Sequence, residues 1–215
     1  MQLVLIGPPG AGKGTIAEKV AAKYKLAHLS TGDILREAIA RGTALGVRAN
    51  EYVETGRLVP QEVLGAVVAE GLRDAKDFVL DGYPRTLEQA EFLSGLPHVE
   101  LDAVVYVAVP EEVAVSRLAG RLVCTACGGV TNADDGAAES CAFCGSGRLE
   151  ARADDRLDTV KRRYEVYVAE TEPVVEYYRA AGILREIDGT GSRKAVFARV
   201  EAAIGPLVAC GDDNR

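Results

Sequence analysis

Short apolar runs alternate with longer stretches in which apolar positions return every three or four residues. The runs at residues 2–6, 27–29, 78–80, 103–109 and 184–187 read as buried strands. Amphipathic stretches at 15–24, 62–72 and 111–119 read as helices, the last opened by Pro110 with Glu111 and Glu112 beside the positive end of the helix dipole. A further long helix is predicted from about 155 to 181, where Val160, Tyr164, Tyr167, Val168, Thr171, Val174, Val175 and Tyr178 recur at helical spacing. Its tyrosines read as core packing. Strands alternating with helices predict an α/β fold with a parallel sheet and helices on both faces. Two regions break the rhythm. Residues 31–57 are helical with glycines at 42, 46 and 56 and no strand, which predicts an all-helical excursion. Residues 121–153 are rich in Cys, Gly, Ala and Asp with little periodicity, which predicts a small insertion held by metal.

Composition narrows the classes. A chain of 215 residues with 48% hydrophobic and 27% charged residues suits one compact globular domain carrying insertions. The apolar run at the start ends at Gly7 and Pro8, too soon for a signal peptide or a membrane span, so a cytoplasmic protein with no membrane partner is expected. A net charge of −7 argues against nonspecific attraction to nucleic acid. Four of the five cysteines form two CxxC pairs, which in a cytosolic chain point to metal; Cys210 is read as incidental and residues 211–215 as a frayed tail.

The strongest chemical signal follows the first strand. Gly7-Pro8-Pro9-Gly10-Ala11-Gly12-Lys13-Gly14-Thr15 leads directly into a helix. Glycines let backbone N–H groups turn toward phosphate oxygens, the helix N-terminus adds partial positive charge, and Lys13 adds a full one. Gly14 stands where many phosphate loops place the hydroxyl that holds magnesium, so the metal should depend on water and a carboxylate elsewhere. Asp81, ending the strand at 78–80, is the best candidate, because open α/β sheets hold ligands beyond the carboxyl ends of their strands.

Read together, this loop, the STGDILR segment at 30–36, DGYPRT at 81–86 with Gln89, RLAGR at 117–121, RADD at 152–155 and DGT at 188–190 resemble the adenylate kinase family, over essentially the whole chain and in order. The resemblance implies a nucleoside monophosphate kinase fold: a five-stranded parallel sheet with an AMP-binding helical segment and a lid over ATP. It implies core at 1–30, 58–120 and 156–215, the AMP segment at 31–57 and the lid at 121–155. The implied reaction is reversible phosphoryl transfer from Mg–ATP to AMP, giving two ADP, in the service of adenine nucleotide balance. Carried over residue by residue, ATP would meet Gly10, Ala11, Gly12, Lys13, Gly14, Thr15, Arg117, Arg121, Val130, Thr131 and Gly191. AMP would meet Thr31, Arg36, Arg57, Leu58, Val59, Gly82, Tyr83, Pro84, Arg85, Gln89, Arg152 and Arg163. Lys13, Arg85, Arg121, Arg152 and Arg163 would carry the catalysis, as a monomer.

Transfer between two polyanions needs positioning and charge neutralisation more than a general base. An acidic protein with arginines gathered at its phosphates fits that need, and His28 and His98 are left with no catalytic role. Arg117 and Arg121 lie four apart and are expected to share one helix face. Arg156 and Arg162 match no family contact and are read as surface charges. Ser30 and Thr31 could also simply cap the helix that follows, with Asp33.

Cys124, Cys127, Cys141 and Cys144 form two knuckles separated by 13 residues, a spacing that suits a structural zinc with four thiolates. Iron in a rubredoxin-like site is chemically open; disulfides do not suit the compartment. Such a lid resembles that of many adenylate kinases, although Thr131 and Asn132 stand where a Tyr–His pair is common. The nearest alternative, a UMP/CMP kinase, usually lacks the threonines matching Thr31 and Thr86, and these with Gln89 favour AMP. A noncatalytic nucleotide sensor is disfavoured by Lys13 and the arginine set. A zinc module for nucleic acid is disfavoured by the acidic balance.

Overall fold

The computed structural model describes residues 1–133 and 140–212, with side chains described as far as residue 207. Five strands, β1 (Gln2–Ile6), β2 (Ala27–Ser30), β3 (Phe78–Asp81), β4 (Ala103–Ala108) and β8 (Leu184–Asp188), form one sheet in the order β2-β3-β1-β4-β8. Every pairing is parallel; Leu3, for example, sits opposite Val79 on one side and Ala103 on the other. The central strands β1 and β3 are apolar except for Gln2 and Asp81 at their ends, because both faces are covered.

On one face, α1 (Lys13–Tyr24), α6 (Glu111–Ala119) and α9 (Arg193–Asp212) bury Ile16, Val20, Ala114, Val200 and Ile204 against Leu3, Leu5 and Val105. On the other, α4 (Gln61–Leu72), α5 (Leu87–Ser94) and α8 (Glu172–Ala180) bury Val68, Leu72, Leu93, Val174 and Tyr178 against Val4, Phe78 and Val104. The fold is the expected α/β arrangement. Each expected strand lies within one residue of its observed bounds, and α5 and α9 are additional to the expected helices.

The region 31–57 is two helices, α2 (Thr31–Ala40) and α3 (Ala44–Glu54), capped by the side chains of Ser30 and Thr43. Gly46 lets them touch, since a Cβ there would lie 2.1 Å from the Ala38 carbonyl oxygen. The second excursion departs from expectation. Its described residues build a small antiparallel sheet, β6-β5-β7, from β5 (Arg121–Cys124), β6 (Val130–Asn132) and β7 (Leu149–Ala151). Strands of three and four residues are too short to show alternation.

The long helix expected from 155 to 181 is interrupted. A 3-10 turn (Ala153–Asp155) precedes α7 (Leu157–Val166), and a π-helical turn over Tyr167–Thr171 separates α7 from α8. Pro173, with no N–H to donate to Ala169 and a ring that crowds that carbonyl, is the physical reason; Glu172 N instead bonds Tyr167 O, five residues back. The wider turn also corrects one core assignment, leaving Val168 exposed while Tyr167, Thr171 and Tyr178 are buried. Gly211 and Asp212 still belong to α9; residues 213–215 and the side chain of Cys210 lie outside the described part.

Candidate active site

The loop between β1 and α1 closes on itself through Ala11 N to Pro8 O at 3.1 Å, and α1 starts at Lys13, two residues earlier than its apolar pattern suggests. Gly10 has φ +88°, and a Cβ there would lie 2.3 Å from the Ala114 carbonyl oxygen, so the loop can press against α6 only with glycine at this place. Lys13 Nζ donates to Gly7 O at 2.8 Å and Pro8 O at 2.9 Å. Burial pushes its pKa down to about 7; Asp81 opposes the shift, while Arg85, Arg163 and Arg121 add to it. Asp81 is buried at the end of β3, its carboxylate facing Gly14, where a Cβ would be 3.4 Å from Oδ2.

Around this loop the structure gathers four arginines, three of them onto two aspartates. Arg121 pairs with both carboxylate oxygens of Asp155, its Nε at 2.6 Å from Oδ2. Arg152 forks onto Asp154 at 2.9 and 2.8 Å, and Arg163 reaches Asp154 Oδ2 at 3.2 Å and Asp155 Oδ1 at 3.4 Å. Burial alone would raise the Asp154 pKa, but Arg152 and Arg163 hold it near 2. Burial likewise pushes Arg163 down to about 10 against the pull of Asp154. The fourth, Arg85, donates from Nε to Gly82 O at 2.7 Å, and its backbone N–H bonds Gln89 Oε1 at 2.8 Å. Arg117 and Arg121 do not share a helix face. The α6 helix ends at Gly120, and Arg121 already belongs to β5, so Arg117 turns away to donate to Gly191 O at 3.3 Å.

Two cavities meet at these groups. One is lined by Thr31, Leu35, Arg36, Val59, Gly82 and Gln89 among others. The second is lined by Lys13, Pro84 and Tyr167, and the two share Gly56, Leu58, Gly82, Arg85 and Arg163. Ser30 caps α2 by accepting from Asp33 N at 3.3 Å, while Thr31 turns inward with Oγ1 3.4 Å from Asp81 O. Gln89 is buried; its Nε2 donates to Val59 O at 3.2 Å, which leaves one amide hydrogen and one oxygen lone pair uncommitted in these bonds. Arg36 pairs with Asp33. The Arg57 side chain lies over the Tyr52 ring and pairs with Glu51. Tyr83 is buried, with its hydroxyl donating to Gln61 Oε1 at 2.7 Å, and precedes a cis Pro84.

The adenylate kinase family model matches residues 5–183. The chain belongs to the adenylate kinase family. It is 46% identical over 213 residues to an adenylate kinase of Archaeoglobus fulgidus, covering 95% of this chain and 98% of that protein. An adenylate kinase of Kosmotoga olearia is 46% identical over 93% of this chain and 97% of its own length, and one of Carboxydothermus hydrogenoformans 43% identical over 95% and 99%. The phosphate loop and both cavities lie within the matched span.

In the lid region the four cysteine sulfurs lie within 4.8 Å of one another. Cys124 and Cys144 are 3.6 Å apart and Cys127 and Cys141 3.7 Å, against about 3.8 Å for the edge of a tetrahedron with Zn–S bonds of about 2.3 Å. Backbone N–H groups of Ala126 and Cys127 point at Cys124 Sγ, each at 3.4 Å, and Phe143 N at Cys141 Sγ, also at 3.4 Å. That donor set suits thiolates.

Several groups of this site carry no sequence motif. Arg193, at the start of α9, donates to Val130 O at 3.3 Å and so ties α9 to β6. Asn132 ties β6 to the end of α6 by donating to Arg117 O at 3.0 Å, and a Cβ on Gly120 would lie 2.4 Å from its Oδ1. Thr131 sits beside it on β6. Of the two histidines, His28 is half-buried on β2 and His98 is exposed; neither lines the cavities described above.

Proposed function

We propose that the two joined cavities hold Mg–ATP on the phosphate loop and AMP against α2, α3 and Gln89, in line for reversible phosphoryl transfer, the reaction of the family to which the chain belongs. One observation carries this reading: Arg85 and Arg163 line both cavities, and Lys13, from a third segment, lines the second beside them. Three cations gathered along one cleft are what a transferred phosphoryl group flanked by polyphosphates requires. Lys13 would neutralise the donor's terminal phosphates. Arg85 and Arg36 would hold the acceptor's phosphate, and Arg121, Arg152 and Arg163 would close over the charge that develops between them. Thr31, Val59 and Gln89 would receive the acceptor base; Arg117, Val130, Thr131 and Gly191 would lie along the donor base.

Asp81 fits a magnesium held through water, because it offers hard carboxylate oxygens at the loop and Gly14 leaves space beside them. Bound there with ATP, the metal supplies charge neutralisation at the phosphates. The cysteine set fits zinc by spacing and by its N–H donors, and four thiolates leave no open position, so the work of that metal would be to fold the lid. The division into core, AMP segment at 31–57 and lid at 121–155 belongs to the same reading, supported by two helices outside the parallel sheet and a separate antiparallel sheet. We take the enzyme to act as a cytoplasmic monomer, since one chain supplies every charged group of the cleft. No helix among the described residues is long and apolar enough to cross a membrane.

A coupled assay with Mg–ATP and AMP, CMP, UMP or GMP tests the assignment. AMP should be preferred by at least tenfold, as one pocket hydrogen bond can achieve. Equal turnover with CMP would overturn it.

A further inference from the structure

The π turn between α7 and α8 lies beside the cleft, and Tyr167 and Thr171, its first and last residues, both line the cavity that holds Lys13. Thr171 is buried, and its hydroxyl donates to the backbone carbonyl of Arg85 at 2.9 Å, across 86 positions of sequence. Arg85 is thereby fixed from three sides: its N–H by Gln89 Oε1, its guanidinium by Gly82 O and its carbonyl by Thr171.

Helical geometry explains why the turn matters. Arg163, on α7, lines the same cavity. Along an unbroken α-helix of about 100° per residue, Thr171 would sit roughly 80° round from Arg163. A π turn of about 4.4 residues advances only about 82° per residue, and over four residues it brings the two within roughly 10° of each other. Pro173 makes the interruption, as described above, and the interruption sets Thr171 on the cleft side of the helix. At the other end of the turn the Tyr167 hydroxyl donates to Tyr106 Oη of β4 at 3.1 Å, tying the turn to the parallel sheet.

We infer that Thr171 is a positioning residue for the acceptor phosphate: presented by the π turn, it holds the Arg85 backbone so that the guanidinium stays aimed at the junction of the two cavities. The inference rests on the proposed placement of Arg85 at that phosphate. Nothing in it requires Thr171 to touch a nucleotide. Its effect should therefore appear on the acceptor side alone.

Steady-state kinetics on Thr171→Val, Thr171→Ser and Arg85→Ala, with melting temperatures for each, form the test. Thr171→Val keeps the shape and removes the donor; it should raise the KM for AMP about five- to tenfold, the range one buried hydrogen bond confers. The KM for ATP should stay within about twofold of the parent, and Thr171→Ser should restore both values. Should Thr171→Val fail to fold, Thr171→Ala is read by the same criteria. A lowered melting temperature with unchanged KM for AMP, an equal rise for both nucleotides, or a serine variant that does not rescue would each overturn the inference. Arg85→Ala separates the two levels. If it leaves the KM for AMP unchanged, the placement of Arg85 falls and the inference with it. If it raises that KM while Thr171→Val does not, only the role of Thr171 falls.

Discussion

Lys13→Met should abolish a proton uptake that accompanies nucleotide binding. In the structure the ammonium is half-buried on two carbonyl oxygens, near Arg85, Arg121 and Arg163, and burial brings its pKa down to about 7. A polyphosphate seated on the loop favours the charged amine and should return that pKa toward its ordinary value of about 10.4. At pH 8 a group of pKa 7 is about one-tenth protonated, so binding should draw in about 0.9 proton; at pH 6 it should draw in only about 0.1. Calorimetric titration with ATP at each pH, in two buffers of different ionisation enthalpy, measures the uptake, and subtracting the Lys13→Met result removes protons taken up by the ligand itself. The same shift acts on stability. Between pH 7 and about 10.5 the unfolded chain binds the lysine proton and the folded chain does not, so stability without nucleotide rises with pH across that window. The cost of burying Lys13 is at most about 4 kcal/mol at pH 7. Lys13→Met should therefore be at least as stable as the parent at pH 7, with the difference shrinking toward pH 10, while turnover falls by orders of magnitude. Equal proton uptake by parent and variant at pH 8 would refute the reasoning.

The purified protein should contain one zinc per chain. Cys124→Ser should lower the temperature of a lid transition seen by hydrogen exchange and leave the parallel sheet protected; a protein free of metal, or with these cysteines in disulfides, would end that reading. Gln89→Ala removes the partners of Arg85 N and Val59 O and should weaken AMP about tenfold, with ATP unchanged, because a buried group left unpaired costs about 1–3 kcal/mol. Loss of affinity for both nucleotides alike would assign Gln89 to the fold instead.

The parallel sheet was legible because each strand is a short continuous apolar run, and the phosphate loop because its glycines and lysine stand together in sequence. The four cysteines were legible as two local pairs. What escaped the sequence is what depends on distant partners. The carboxylates that receive Arg121, Arg152 and Arg163 stood in the RADD motif at 152–155, yet their pairing with the arginines was not foreseen. The strands β5, β6 and β7 are held by one another and by the cysteine cluster, with no pattern of their own. The expectation for Arg117 and Arg121 assumed that the helix continued, and the C-cap at Gly120 sent them to different partners. Pro173 was visible in the sequence, yet the apolar periodicity running across it concealed the π turn.

The parallel sheet also decides where the chain tolerates additions. Every strand runs the same way, so the phosphate loop, the start of α2, the Asp81–Arg85 turn and the Asp188–Gly191 turn all lie along one rim. Residue 1 lies along the opposite rim, where its ammonium pairs with Asp77 beside the start of β3. The five residues of β1, at about 3.3 Å each, put roughly 17 Å of sheet between that end and Gly7. A fluorophore or surface tether attached at residue 1 would replace the pairing with Asp77 and stand clear of the cleft. A second label on the antiparallel sheet could then be read against a fixed base, whereas a label on the other rim would intrude on the groups it was meant to observe.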